Sequence, residues 1–172
     1  MTNKLQHHQS VYATPGLPPF EFSRVSHRIL AGRNPLTAVD VETLLAQGVT
    51  HFLDLRESRE WQPPRHGYEA VAEIERRGLT RLHLPVVDSG VPTATDLDRA
   101  IWFLDEALAN PQAQVYIHCR AGIERTSAVL TAYHARRLRM TYDEALAQLR
   151  RQRPTLRPHG DAVVRRWLNR SA

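Results

Sequence analysis

The chain has 172 residues, 42% hydrophobic and 24% charged, which is enough for one globular domain with a substantial core. No run approaches the roughly 18 apolar residues of a membrane-spanning helix. The single cysteine excludes an intramolecular disulfide and a cysteine-rich structural zinc site. The first ten residues are polar and lack the apolar core of a signal peptide. We therefore expect a soluble, cytoplasmic protein without membrane insertion.

The net charge of +5 is unevenly distributed along the chain. Residues 119–172 carry 12 arginines and 4 acids (12 − 4 = +8), and the preceding residues carry 11 basic and 14 acidic side chains (11 − 14 = −3). Solvated helix faces explain such a basic half, and attraction of an anionic substrate is the functional alternative. A nucleic-acid-binding protein is a further alternative. We do not expect nucleic-acid binding, because aromatic and basic residues are not interleaved as on a single-strand-binding surface.

Local patterns divide the chain into an arm and one domain. Residues 1–19 predict a flexible N-terminal arm that ends in a Pro- and Gly-rich stretch, and residues 20–172 predict a single domain without a linker. Short segments rich in β-branched and apolar residues predict strands at 20–25, 27–31, 50–55, 81–86 and 115–118.

Helical patterns fill the segments between and after these strands. Helix start signals are Thr37-x-x-Asp40, Thr95-x-x-Asp98 and Thr141-x-x-Glu144. The predicted helices are 37–47, 68–77, 95–109, 123–139, one from residue 141 onward, and 160–169. This alternation predicts an α/β fold with a central, mostly parallel sheet flanked by helices. Ligands bind such sheets at the carboxyl ends of the strands, where Asp88 and Cys119 stand.

One of these strand ends has the pattern of an anion-binding loop. Cys119 follows a predicted buried strand, and Arg125 stands six residues later where a helix begins. A tight loop there turns backbone N–H groups inward, and together with the helix N-terminus they bind an anion. Gly122 permits the unusual backbone angles of such a loop. Arg125 can bind two phosphate oxygens at once, and the same positive field favours a nucleophilic thiolate at Cys119.

The segment His118-Cys119-x5-Arg125-Thr126 resembles the signature loop of the protein tyrosine phosphatase superfamily. From about residue 20 to 168 the chain resembles the compact dual-specificity branch, and Asp54-Leu55-Arg56-Glu57 and Gln152-Arg153-Pro154 are similar to segments common in that branch. The resemblance implies that residues 20–172 are a cysteine-phosphatase-like domain. It also implies hydrolysis of phosphate monoesters through a phosphocysteine intermediate, with no metal or organic cofactor.

The resemblance also implies roles for individual residues. Cys119 is the expected nucleophile, Arg125 the phosphate-binding residue, and an upstream acid protonates the leaving group. Asp88 fits this last role because it follows an apolar strand and precedes a plausible mobile loop; the alternative is a turn aspartate that ends a strand. Asp96 and Asp98 are rivals, but both have the pattern of helix-start residues stabilised by the helix dipole.

Two neighbours of the signature cysteine have expected supporting roles. Thr126 is expected to donate a hydrogen bond to the Cys119 sulfur and ease departure of the thiolate; the alternative is a first-turn helix residue without a chemical role. His118 resembles the histidine that precedes the cysteine in the family, and we expect it to be a buried residue that orients the loop rather than a base.

The loop residues also bear on the substrate. The expected binding residues are Arg120, Ala121, Gly122, Ile123, Glu124 and Arg125. Inositol-phospholipid phosphatases of this superfamily tend to have two basic residues within the loop, whereas here only Arg120 qualifies and Glu124 opposes it. The sequence therefore favours a phosphorylated protein, at phosphotyrosine or with dual specificity, or a small phosphate ester. Inositol phosphates, phosphoinositides and RNA 5′-phosphates are alternatives.

Two other classes of protein have a similar loop. Rhodanese-like sulfurtransferases place a cysteine on a strand-to-helix loop but require neither the arginine at this spacing nor the upstream acid. A non-catalytic pseudophosphatase uses such a loop to hold a phosphorylated partner. The presence of Cys119, Arg125 and Asp88 argues against it, and Glu124 argues weakly for it.

Overall fold

Six strands form one mixed sheet in the part of the chain that the computed structural model describes, residues 7–9, 19–62 and 67–170. The strands are β1 His7–Gln9, β2 Glu21–Ser26, β3 Ile29–Gly32, β4 His51–Asp54, β5 Thr80–His83 and β6 Val115–His118. Their order across the sheet is β1-β2-β3-β6-β4-β5. The β3, β6, β4 and β5 strands are parallel, and β1 and β2 pair antiparallel at one edge.

Helices cover both faces of this sheet. The helices are α1 Ala38–Ala46, α2 Tyr68–Arg76, α3 Ala94–Ala109, α4 Arg125–Leu138, α5 Tyr142–Gln152 and α6 Asp161–Arg170, and a 3₁₀ turn spans Ser58–Glu60. Apolar residues of α1 and α2 pack in one cluster, and those of α3 to α6 pack in a second, larger cluster. The result is a three-layer α/β arrangement.

Alternation along the central strand explains how one sheet supports two cores. In β6, Val115 and Ile117 pack in the larger cluster, whereas Tyr116 between them packs in the smaller one. Successive side chains of a strand point to opposite faces, so a strand buried on both faces has apolar residues throughout. All four residues of β6 are buried, as expected for a central parallel strand.

The register of the sheet places the ends of three strands side by side. Gly32, the last residue of β3, and Asp54, the last of β4, both lie opposite His118, the last of β6. The loop after β6 therefore starts between two neighbouring strand ends, at the edge where parallel sheets bind ligands.

The predicted α/β class with a central, mostly parallel sheet is confirmed, and some boundaries were wrong. Helix α3 is capped by Thr93, whose side chain accepts from the Asp96 amide, rather than by Thr95. Both threonines match the cap pattern, but Asp98 instead accepts a hydrogen bond from Trp167 Nε1 at 2.6 Å. The helix predicted from residue 123 begins at Arg125, because residues 119–124 form the loop. The strand predicted over 81–86 covers only Thr80–His83.

The predicted flexible arm, residues 1–19, contains a strand that the sequence pattern did not indicate. His7–Gln9 pairs antiparallel with β2, with His8 opposite Phe22. Residues 1–6 and 10–18 of the arm lie outside the described residues. Of the helices in the described ranges, none has the length and apolar character needed to cross a membrane.

Helix α3 allows a direct test of the layered core. Leu104 is fully buried against the sheet, whereas the larger Trp102 on the same helix is 64% exposed. We expect Leu104→Ala to lower the free energy of unfolding by about 2–5 kcal/mol, because it leaves a cavity in the core. Trp102→Ala should change it by less than about 0.5 kcal/mol despite removing more atoms. Urea denaturation of both variants measures this, and a larger cost for Trp102→Ala would contradict the proposed layering.

Candidate active site

The loop that follows β6 is shaped by two glycines in close contact. Gly122 has φ +67°, a left-handed conformation that glycine adopts without strain, and a Cβ atom on it would overlap the Gly32 carbonyl oxygen. Gly32 itself packs against the backbone of Glu21 and Phe22 with no room for a side chain. The loop therefore lies directly on the end of β3, and Cys119 at its start is 3% exposed.

Hydrogen bonds from outside the loop hold its carbonyl groups. Arg153 donates from Nε to the Gly122 carbonyl at 3.0 Å and from Nη2 to that of Ala121 at 3.4 Å. The same guanidinium, 1% exposed, is paired with Glu21 through two bonds of 2.7 and 2.8 Å. The backbone N–H of Asn34 donates to the Arg120 carbonyl at 3.2 Å. With its carbonyls bound outward, the loop has its N–H groups available for an anion.

Arg125 is the buried positive charge of the site. Its side chain is 3% exposed and makes two hydrogen bonds to the Glu60 carboxylate, at 2.6 and 2.8 Å. It also donates to the Val86 carbonyl at 3.0 Å and to Asp88 Oδ1 at 2.9 Å. Burial alone would lower the pKa of Arg125, but Glu60, with Cys119 and Asp88, raises it above its ordinary value. Arg125 is therefore charged at any working pH and fixed in orientation.

Asp88 lies beside Arg125 on a tight turn. Its side chain is 42% exposed, with Oδ1 bonded to Arg125 and Oδ2 3.8 Å from Arg120 Nη1. The Asp88 amide donates to Glu57 Oε2 at 3.1 Å, and this bond, followed by those from Arg59, lowers the pKa of Glu57. The structure thus brings Asp88, Cys119 and Arg125 to one place, although Asp88 and Cys119 lie far apart in the sequence.

These residues line an open pocket of about 280 Å³. The lining residues are Asp88, Cys119, Arg120, Ala121, Ile123, Glu124, Arg125 and Arg157. Glu124 is the N-cap position of α4 but makes no side-chain cap hydrogen bond. Among the residues that the structure describes, neither the Glu124 carboxylate nor the Arg157 guanidinium has an ion-pair partner. Both are therefore available to a molecule bound at the rim.

A buried polar group lies directly beneath the loop. His118 stacks on Tyr116 and lies with Nδ1 3.7 Å from Asp54 Oδ1. Burial lowers the pKa of His118 to about 3, so the ring is neutral and is not a base at physiological pH. Burial by itself would raise the pKa of Asp54, but His118, Arg56 and Arg81 outweigh it and hold that pKa well below its usual range. Asp54 is therefore a charged partner for both arginines.

The expected hydrogen bond from Thr126 to the Cys119 sulfur is absent from this structure. Thr126 is fully buried in the first turn of α4, and its Oγ1 has no hydrogen-bond partner among the described residues. The catalytic role of Thr126 therefore stays a prediction. Thr126 lies next to the site without contacting the sulfur through a hydrogen bond.

Metal ligands do not cluster in this region. Within residues 7–9, 19–62 and 67–170, no group of three or more His, Cys, Asp or Glu side chains is placed to hold a metal ion. The chemical groups that line the pocket include the Cys119 thiol, the Arg125 guanidinium and the carboxylates of Asp88 and Glu124.

Comparison with known proteins agrees with this geometry. A family model described as the dual specificity phosphatase catalytic domain matches residues 34–165, which include Asp88, Cys119 and Arg125. The chain belongs to this family. The sequence left two enzyme scaffolds to compare, the phosphatase-like and the rhodanese-like one, and membership in the dual specificity phosphatase family excludes the rhodanese-like scaffold.

Relatives within this superfamily have different substrates in their names. The mouse protein phosphatidylglycerophosphatase and protein-tyrosine phosphatase 1 is 30% identical over 113 residues, covering 65% of this chain and 56% of the mouse protein. Human dual specificity protein phosphatase 16 is 35% identical over 79 residues, covering 45% of this chain and 12% of its own. The matches thus span about half or less of these relatives' own lengths.

A solved structure extends the similarity to the whole fold. A crystal structure of PTPMT1 in complex with PI(5)P has a TM-score of 0.76 and 25% identity, covering 88% of this chain and 99% of that one. The fold is also shared by the crystal structure of Tk-PTP in the active form, with a TM-score of 0.74 and 23% identity. That match covers 87% of this chain and 97% of the Tk-PTP chain.

Several residues that hold this site together were not predicted from the sequence. Glu60 and Asn34 were not singled out, because their partners are distant in sequence and a charged turn has no periodic pattern. Arg153 and Glu57 were noticed only as parts of two segments similar to family segments, without a role. That similarity was the available signal, since Arg153 bonds the Gly122 carbonyl and Glu57 bonds the Asp88 amide.

The Glu60–Arg125 pair gives a testable consequence. Glu60→Ala removes the main partner of the buried Arg125 guanidinium, so we expect the free energy of unfolding to fall by roughly 3 kcal/mol. This value is at the lower end of the range for a broken buried ion pair, because Asp88 still faces Arg125. Affinity for orthovanadate should also fall, because Arg125 is no longer oriented. Urea denaturation and vanadate titration measure these effects, with Glu75→Ala, an exposed site on α2, as the control. Unchanged vanadate affinity would contradict the orienting role.

Proposed function

We propose that the chain is a cysteine-dependent phosphatase that hydrolyses phosphate monoesters through a phosphocysteine at Cys119. The observation that carries this proposal is the convergence of three groups in one pocket. Cys119 lies at the base of the pocket, the charged Arg125 lies beside it, and Asp88 is held at the rim 2.9 Å from Arg125. Membership in the dual specificity phosphatase family supports a phosphatase activity.

The first step transfers the phosphoryl group to sulfur. The phosphate binds to the loop N–H groups and to Arg125, where it takes the place of Asp88 Oδ1 on Nη2. The Cys119 thiolate attacks phosphorus in line with the ester oxygen, the S–P bond forms and the P–O bond breaks. Asp88 gives its proton to the departing oxygen. The exposed Asp88 side chain has the freedom to turn from Arg125 to the leaving group.

The second step releases phosphate. Asp88, now a carboxylate, takes a proton from a water molecule that attacks the phosphocysteine. The S–P bond breaks, the thiolate is restored and inorganic phosphate leaves. Arg125 stays charged throughout because Glu60 is paired with it.

The test is hydrolysis of p-nitrophenyl phosphate with a chelator present, across pH. We expect Cys119→Ser to be inactive, because the nucleophile is lost, and Asp88→Asn to be slower by about 10²- to 10⁴-fold. The wild-type and Asp88→Asn rates are compared at each pH. Asp105→Asn is a matched control, since Asp105 is also 42% exposed and near an arginine.

Two outcomes would count against the proposal. If wild type binds vanadate but shows no turnover, and no phosphoryl group is found on Cys119 by mass spectrometry, the site is that of a pseudophosphatase. If Cys119→Ser retains full activity, another nucleophile is responsible. A rapid-quench sample of wild type that carries one phosphoryl group on Cys119 supports the covalent step directly.

For the substrate, we favour a phosphorylated protein, with a phosphorylated lipid or inositol as the second candidate. The unpaired Glu124 carboxylate at the rim repels a second anionic group near the scissile phosphate, and Arg120 is already close to Asp88. The second candidate is supported by the names of the relatives, which include a phosphatidylglycerophosphatase and a PTPMT1 complex with PI(5)P.

Glu124 should therefore affect the choice between these substrates. Glu124→Gln keeps the shape and removes the charge, so we expect kcat/KM for PI(5)P to rise about 5-fold relative to a phosphotyrosine peptide. This corresponds to the ~1 kcal/mol between two unit charges about 4 Å apart in water. Glu106→Gln, an exposed change on α3, is the control. An unchanged ratio would show that Glu124 does not select between the substrates.

A further inference from the structure

The turn that carries Asp88 has unusual backbone geometry. The Gly90 amide donates to the Val87 carbonyl at 2.7 Å, which closes a tight four-residue turn with Asp88 at its second position. Ser89 at the third position has φ +61°, a left-handed conformation that costs energy for a residue with a side chain. The turn belongs to no helix or strand, so neighbouring side chains must fix its position.

His159 contacts this turn from the segment between α5 and α6. Its Nε2 lies 2.7 Å from the Gly90 carbonyl oxygen, and because that oxygen can only accept, Nε2 carries the proton. The next residue, Gly160, has φ +62°, and a Cβ atom on it would lie 2.5 Å from Val91 Cγ1. The absence of a side chain at residue 160 thus lets the segment approach the residues that follow Asp88.

The same segment also contacts the loop that carries Cys119. Arg153 donates to the Gly122 carbonyl at 3.0 Å, and the Arg157 amide donates to the Ile123 carbonyl at 3.4 Å. Between them, Leu156 is fully buried in the larger core cluster. Residues 153–160 are therefore fixed to the core, bonded to the nucleophile loop at one end and to the Asp88 turn at the other.

We propose that His159 is a positioning residue for Asp88, and that it sets through Gly90 the distance from the Asp88 carboxyl to the leaving-group oxygen above Cys119. This inference rests on the proposed function, in which Asp88 protonates the leaving group. Misplacing a reacting group by about 1 Å costs up to about 10²-fold in rate. Glu57 also bonds this turn, by accepting from the Asp88 amide, and loss of the His159 bond removes the corresponding bond at Gly90.

The test uses aryl phosphates whose leaving groups differ in acidity, 2,4-dinitrophenyl, p-nitrophenyl and phenyl phosphate. An acidic phenol leaves without a proton donor, whereas phenol itself needs one. We expect His159→Ala to keep near wild-type kcat/KM on 2,4-dinitrophenyl phosphate and to lose about 10-fold or more on phenyl phosphate. His159→Gln retains an N–H donor and should recover most of this loss, and Thr155→Ala, an exposed change in the same segment, is the control.

A double variant separates positioning from general structural damage. If His159 acts only through Asp88, His159→Ala combined with Asp88→Asn should be no slower than Asp88→Asn alone. An equal loss on all three esters, additive effects in the double variant, or no loss at all would overturn the inference. Thermal unfolding shows whether each variant is folded. If His159→Ala does not fold, the His159→Gln variant still tests the inference.

The same experiments distinguish failure of this inference from failure of the proposed function. If wild type is inactive, or if Asp88→Asn shows no dependence on the leaving group, the proposed role of Asp88 is wrong. If Asp88→Asn shows that dependence while His159→Ala behaves as wild type, only the positioning role is overturned.

Discussion

The site depends on keeping the Arg125 guanidinium charged while it is buried at the base of a pocket. A lone buried charge is costly, and the structure offsets this cost with the Glu60 carboxylate and the Val86 carbonyl. Glu60 lies on the 3₁₀ turn after β4, and Val86 lies on the segment after β5. The ends of neighbouring strands must therefore be in register for the guanidinium to reach its partners, which links Arg125, the proposed phosphate-binding residue, to the order of the sheet.

Buried arginines have a larger part in this protein than the sequence suggested. From the sequence, the arginines of the second half were expected to lie on solvated helix faces or to attract anions generally. Arg125 and Arg153 in that half are instead 1–2% exposed, as is Arg56 in the first half, and each of the three is paired with a carboxylate. Arg153 binds loop carbonyls and Arg56 binds the buried Asp54 below the loop. A charge count cannot separate such arginines from exposed ones, because the difference is in their partners and not in their number.

The sequence predicted the features that depend on local patterns. The alternation of strands and helices was enough for the α/β class, and the spacing of Cys119 and Arg125 with Gly122 between them was enough to locate the loop. Asp88 was singled out because it ends an apolar segment, and its carboxylate lies 2.9 Å from the Arg125 guanidinium. The contacts of Glu60, Glu57 and His159 depend on which turns meet in three dimensions, so no local pattern indicates them. A sequence motif likewise does not fix the orientation of a hydroxyl, and this structure lacks the bond expected from Thr126 to the Cys119 sulfur.

The central position of β6 has a consequence for how the protein exchanges its amide hydrogens with deuterated solvent. This strand has bonded neighbours on both sides, so its amides exchange through large-scale opening of the sheet. The Ser89 amide is bonded only to the side chain of its exposed neighbour Asp88, so it exchanges through local opening. Cys119 therefore follows a stretch of backbone that we expect to exchange slowly, whereas Asp88 lies beside an amide that we expect to exchange fast.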